Sequence, residues 1–232
     1  MTGRRAVFDD FARGEAATRG DYAPSRNLRV DRAARALRLG RFLLDVGCGA
    51  GLLAQAVLGK FTRVYGVDIA AECVAAARRN GVEASQLDFG TEPLPFAAEY
   101  FDAVAALSVL QYLFDPHAVL RECHRVLRPG GQLVIAAPNM RSAGKLWRQF
   151  VVGRFPTTSN GNDAGYDGGA LHYFCAQDLH ELLAATGFRA LPTAGLFCRP
   201  RWLGWIPEGT PLLGKAKVEF LSGEVLIEAA RD

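Results

Sequence analysis

Three glycines and an acid stand at alternate positions in Asp45-Val46-Gly47-Cys48-Gly49-Ala50-Gly51. An apolar run, Phe42 to Leu44 with Val46, precedes the turn, and the helix former Leu52-Leu53-Ala54-Gln55-Ala56-Val57-Leu58 follows it. Strand, glycine turn, helix is the opening of a nucleotide-binding α/β sheet. The glycines let backbone approach a ligand where a Cβ would collide. The helix start offers unpaired N–H groups to an anionic group. A second acid, Asp68, ends the strand Arg63-Val64-Tyr65-Gly66-Val67, 21 residues after Gly47. Such a sheet puts a carboxylate there on ribose hydroxyls, two acceptors facing two donors. Two further side chains, Tyr112 and His172, can take a proton from a substrate. A dinucleotide fingerprint, G-x-G-x-x-G, would need its third glycine where Leu52 stands, so that motif is not met.

The elements that must position these groups follow in order. Leu28, Val30, Ala33, Ala34 and Leu37 recur at helical spacing and predict an amphipathic helix ahead of the first strand. A helix over 70–79 leads to the stop signal Asn80-Gly81, then a third strand over 82–87 ends at Asp88-Phe89. The proline-stiffened loop Thr91 to Phe96 feeds a buried fourth strand, Phe101 to Leu107, followed by Ser108. Asp102 in that strand reads as structural. Asp115-Pro116 caps the next helix. A tight turn, Arg128 to Gly131, precedes a fifth strand, Gln132 to Asn139. Residues 141–152 read as a helix, and Phe188 to Leu196 and Val225 to Ala229 as the last two strands.

Composition bounds the function. The 232 residues fit one domain, and a hydrophobic half with 22% charged residues is the balance of a globular protein. No run of about 18 apolar residues predicts a membrane span, and the N-terminus lacks an apolar signal core, so the reading is cytoplasmic. The five cysteines are widely spaced without C-x-x-C, which predicts reduced thiols and no metal framework. Arginines in residues 1–41 are interleaved with Asp9, Asp10, Glu15, Asp21 and Asp31, so that arm reads as a solvated helix face and not as a nucleic-acid contact.

The pattern Asp45-x-Gly47-x-Gly49-x-Gly51 resembles the class I S-adenosylmethionine (SAM)-dependent methyltransferases. So does Arg125-Val126-Leu127-Arg128-Pro129-Gly130-Gly131-Gln132 with the strand Leu133 to Asn139, in the manner of small-molecule members of the type 11/12 kind. The resemblance implies an α/β fold with a Rossmann-like seven-stranded sheet of order 3-2-1-4-5-7-6, strand 7 antiparallel, and helices on both faces. It implies SAM as cofactor and S-adenosylhomocysteine as product. Asp45, Gly47, Cys48, Gly49 and Gly51 would surround the amino-acid tail, and Asp68 with Ile69 the ribose. Asp88 would bond the adenine amino group, Phe89 border the ring, and Ser108 face the methionine half.

The resemblance also implies a substrate lid over 140–175, inserted in a single domain spanning 1–232 with a helical segment over 1–41. His172 closes that lid and is the first candidate base, Tyr112 the second. Relatives often read "LEHL" where this chain has Leu110-Gln111-Tyr112-Leu113, so the usual acid and histidine are missing. Relatives also carry Ser or Thr where Cys175 stands, which weakens the cap of the following helix. Tyr22 would line the cofactor, and the loop with Trp202 and Trp205 would cover the core. No [DN]-P-P-[FYW] follows strand four, which disfavours amino methylation of nucleic acid.

The expected activity is methyl transfer to the oxygen or nitrogen of a small, partly apolar acceptor, by a monomer or homodimer without metal. Residues 42–190 resemble the MetW proteins of methionine biosynthesis more loosely. That likeness implies an alternative, a SAM-binding partner of a biosynthetic acyltransferase.

Overall fold

A computed structural model describes residues 27–155, 170–196 and 220–232. The expectations for Tyr22, for most of the lid loop and for Trp202 and Trp205 lie outside the described residues. Among the described residues eight strands form one sheet: β1 (Gly40–Val46), β2 (Phe61–Asp68), β3 (Glu83–Gln86), β4 (Phe101–Leu107), β5 (Leu127–Pro138), β6 (Phe188–Ala190), β7 (Ala194–Leu196) and β8 (Glu224–Arg231). The helices are α1 (Leu28–Ala36), α2 (Leu52–Ala56), α3 (Ala71–Arg79), α4 (Pro116–Val126), α5 (Ala143–Phe150) and α6 (Ala176–Ala185), with a 3₁₀ turn at Leu110–Tyr112.

The sheet runs β3-β2-β1-β4-β5-β8-β6, with β7 also bonded to β8. Strands β1 to β5 are parallel, and β8 enters antiparallel between β5 and β6. This is the expected order, with the final strand reversed.

Alternation along the strands fills both faces of the sheet, as a covered parallel sheet requires. Leu44, Val46, Val104, Leu133, Ile135 and Ile227 pack on one side against Leu120 and Val126 of α4 and Leu179 and Leu183 of α6. Leu43, Ala103, Ala105, Val134 and Leu226 pack on the other against Ala33 and Ala34 of α1 and Leu53 of α2. Each fully buried leucine or isoleucine contributes about 2 kcal/mol. The α1 helix is also tied to the sheet through Gln132, whose amide bonds Ala36 O, Arg38 N and Glu228.

Three details differ from the sequence reading, and one, the exposure of α5, adds to it. The sixth strand is two short pieces, because Pro192 has no N–H to donate to β8 and the ladder breaks around it. Residues 128–131 belong to β5 as an irregularity: Phe101 pairs with Leu127, but Ala103 pairs with Gln132. The α5 helix buries no residue, and Trp147 and Phe150 are 62% and 78% exposed. The cap of α6 is repaired by Asp178, whose carboxylate accepts the Cys175 N–H at 2.7 Å.

Candidate active site

The glycine turn sits at the C-terminal edge of β1, where ligands bind in sheets of this kind. Gly47, Gly49 and Gly51 all have positive φ, at 75°, 50° and 80°. A Cβ on Gly47 would run into the Val109 side chain, so the end of β4 is pressed against the turn. A Cβ on Gly49 would meet nothing within 4 Å. That side of the turn is open.

The donors are placed differently from the sequence expectation. Gly47 N and Cys48 N both donate to Val67 O, Gly51 N to Cys48 O, and Gly49 N to Asp68 Oδ2 at 2.9 Å. Four N–H groups of the turn are therefore spent within the protein. The Cys48 side chain turns inward against Gly66 and Val82, and burial pushes its thiol far up. Any part Cys48 plays is played by its backbone.

Two carboxylates lie near this turn. Asp68 ends β2, and its second oxygen accepts the Ala70 N–H at 2.9 Å. One side chain thus joins the glycine turn to the start of α3, and each oxygen keeps a lone pair for another donor. Burial raises the Asp68 carboxyl against the lowering of those backbone bonds. Asp45 is 4% exposed, and nothing among the described residues hydrogen-bonds its carboxylate. Burial first, then the charge of Asp68, pushes it up to about 7. A buried acid without a partner is costly unless a cation reaches it.

Ile69 is buried beside Asp68, and its carbonyl accepts from Gln86 Nε2 at 3.0 Å. Leu87 N donates to Asp68 O, which brings the next two residues, Asp88 and Phe89, to the same edge. Asp88 O accepts from Thr91 N and Glu92 N, and Phe89 lies half-buried against the main core. The glycine turn, Asp45, Asp68, Ile69, Asp88 and Phe89 therefore share one end of the sheet.

A second cluster of polar residues is built on the end of β4. Ser108 has φ 57°, a left-handed conformation that a serine adopts at a cost. Its hydroxyl lies 3.5 Å from Glu224 Oε1 at the start of β8. Arg29 of α1 grips Glu224 with two bonds of 2.6 and 2.8 Å. Gln111 Nε2 donates to Ser108 O, and Gln111 O accepts from both Leu171 N and His172 N. Those two bonds bring His172 to the crest of β4. Its ring stacks on Phe174 at 5.7 Å, and its Nε2 is buried with no partner among the described residues. Tyr112 sits in the same 3₁₀ turn, partly buried.

The carboxylates, the glycines, Ser108 and His172 named from the sequence are brought to this edge of the sheet. Sequence reasoning missed Arg29, Glu224, Val109 and the part played by Gln111. An acid opening the otherwise apolar strand Val225-Leu226-Ile227 was the one local signal for Glu224.

Comparison with known proteins agrees with this fold. Residues 44–135 match the family described as Methyltransferase domain. The ubiquinone biosynthesis O-methyltransferase of Xanthomonas oryzae pv. oryzae is 38% identical over 122 residues, covering 50% of this chain and 51% of that protein. The protein of that name from Klebsiella pneumoniae is 34% identical over 119 residues, 49% of this chain and 48% of that one. The chain thus matches about half the length of these curated relatives.

A SAM-dependent methyltransferase of Thermotoga maritima shares the fold with a TM-score of 0.66 at 22% identity, covering 98% of both chains. The [4+2]-cyclase SpnF does so at 0.62 and 25% identity, over 92% of this chain and 84% of that one. No helix among the described residues is long and apolar enough to cross a membrane. Motif, strand order and sequence agree in making this chain similar to the class I SAM-dependent methyltransferases, in sequence over residues 44–135 and in fold beyond them.

Proposed function

We propose that this chain transfers a methyl group from SAM to a small, partly apolar acceptor, at oxygen in the first instance and at nitrogen in the second. The observation that carries the reading is Asp45, a buried carboxylate without a partner beside a glycine turn with one open side. A positively charged amino-acid tail supplies what that acid lacks. Asp68 keeps lone pairs for a ribose diol, Ile69 lies beside it, and Asp88 and Phe89 stand where adenine would end. Gly47, Cys48, Gly49 and Gly51 contribute backbone shape.

When bound, SAM supplies a methyl carbon already activated by a sulfonium. The protein then needs to hold the acceptor in line and exclude water, and proximity of that kind supplies about 7–11 kcal/mol of a barrier. His172 takes the acceptor proton at Nε2, which the fold leaves unpaired, and Tyr112 is the second candidate. Oxygen is preferred because the curated relatives named above are O-methyltransferases. The exposed Trp147 and Phe150 of α5 and the Phe155–Tyr173 ring pair suit an apolar acceptor at the mouth of a lid over 140–175. We take residues 1–232 as one domain.

Isothermal titration with SAM and with NAD, followed by mass spectrometry of candidate phenols and amines, tests the proposal. SAM binding with a product heavier by one methylene supports it. NAD binding overturns the cofactor. SAM binding without any methylated product, in a chain that co-purifies with an acyltransferase, favours the partner-protein reading. With a methylated acceptor in hand, His172→Ala is expected to cut turnover at least 100-fold and leave SAM affinity within threefold. Unchanged turnover rejects the base.

A further inference from the structure

Gln111 is 2% exposed, in the 3₁₀ turn that follows β4. Its polar groups are used unevenly. Nε2 donates to Ser108 O at 2.9 Å, and the backbone carbonyl accepts from Leu171 N at 2.7 Å and His172 N at 3.1 Å. Oε1 is buried with no partner among the described residues. Ser108 O can only accept, so the amide cannot be turned over to pair Oε1 without losing the Ser108 bond. An orphaned buried acceptor is destabilising, and a stability-optimised turn would not keep it.

The Nε2 bond falls on a residue in left-handed conformation, at the point where β4 gives way to the turn that receives His172. The second orphan of this region, His172 Nε2, belongs to the residue whose N–H Gln111 holds. Each orphan needs an explanation, and one cause covers both: the polar capacity here is spent on geometry and not on stability.

We propose that Gln111 is a positioning residue for the reaction. Its side-chain amide clamps Ser108 O while its carbonyl holds Leu171 and His172, which fixes the His172 ring over the end of β4 with Nε2 free. Gln111 acts through His172 and Ser108 and need not touch either substrate. The role attached to His172 rests on the methyl-transfer reading; the clamp itself does not.

The test is Gln111→Met, which keeps the length of the side chain and removes both amide atoms, read by NMR of the four histidine rings. The expected result is a shift of the His172 ring signals with those of His117, His124 and His180 unmoved. Thermal stability is expected to be equal or higher, because the orphan oxygen is gone, and affinity for S-adenosylhomocysteine to stay within twofold. With a methylated acceptor, turnover is expected to fall at least tenfold.

A lower melting temperature with the His172 signals unmoved would show a packing role and overturn the proposal, as would no change at all. Should Gln111→Met not fold, Gln111→Glu has the same shape and, ionised, cannot donate to Ser108 O. It is expected to move the His172 signals, and unmoved signals overturn the clamp. Absence of S-adenosylhomocysteine binding in the unaltered protein would refute the methyltransferase reading and leave the NMR result to judge the clamp alone.

Discussion

Two aspartates on neighbouring strands of one sheet live by opposite rules. Asp102 stands at the N-terminal end of β4. Its carboxylate accepts from Arg41 N and Phe42 N and pairs with the Arg128 guanidinium. Asp45 stands at the C-terminal end of β1, which pairs with β4, and has no such partners. At one edge the acid is saturated by the chain and ties three segments together. At the other it is buried, pushed up to about 7 and left for something the chain does not provide. The same contrast separates the glycines of the turn: Gly47 is fixed by Val109, and Gly49 opens on empty space. In these two pairs the satisfied member belongs to the fold, and the unsatisfied one is the member a ligand would use.

Substitution at the two acids is the widest test of that contrast. Asp45→Asn is expected to weaken SAM binding about 1000-fold, the scale of losing a buried charge partner. Its melting temperature should hold or rise. Asp102→Ala is expected to do the reverse, costing about 3 kcal/mol of stability through lost charge-assisted bonds. SAM affinity among the folded molecules should change less than threefold. Calorimetry and thermal melts read both, and matching profiles for the two variants would erase the distinction.

The glycine pair gives a smaller effect. Gly47→Ala is expected to lose about 2 kcal/mol of stability from strain and collision. Gly49→Ala should lose about 1 kcal/mol to its backbone conformation, yet weaken SAM binding about tenfold by filling the hollow. A Gly49→Ala protein that binds SAM normally would show that the ligand lies elsewhere.

The pH dependence is the finest test. The unfolded Asp45 carboxyl titrates near pH 3.9, and the folded one near 7. Between those values the unfolded chain has released a proton that the folded one keeps. Stability from Asp45 is therefore full below about pH 4 and is lost as pH rises through 7. A bound cation favours the ionised acid, so SAM affinity should rise about tenfold from pH 6 to pH 8. Melts and titrations across that range should lose both trends in Asp45→Asn. Trends that persist in the variant must come from another group.

Much of this was readable from local pattern. Short apolar runs around Asp45, before Asp68 and before Ser108 gave the strands and the ends where a ligand was expected, because parallel strands all point their carboxyl ends one way. Ala33, Ala34 and Leu37 at helical spacing gave α1. What was not readable depends on distant partners. Arg29 and Glu224 are 195 residues apart in the chain, and neither carries a pattern that names the other. Gln111 looked like a departure from its relatives, because its value lies in which carbonyl its amide reaches. The spent N–H groups of the turn follow from Val67 O and Asp68, which the glycine spacing does not encode.

A crystal structure with S-adenosylhomocysteine tests the central assignment most directly. The expected complex has the amino-acid tail in the hollow beside Gly49 with its ammonium toward Asp45, and the ribose hydroxyls on Asp68. Occupation of that hollow by the protein's own side chains, or a ligand seated away from both carboxylates, would contradict it.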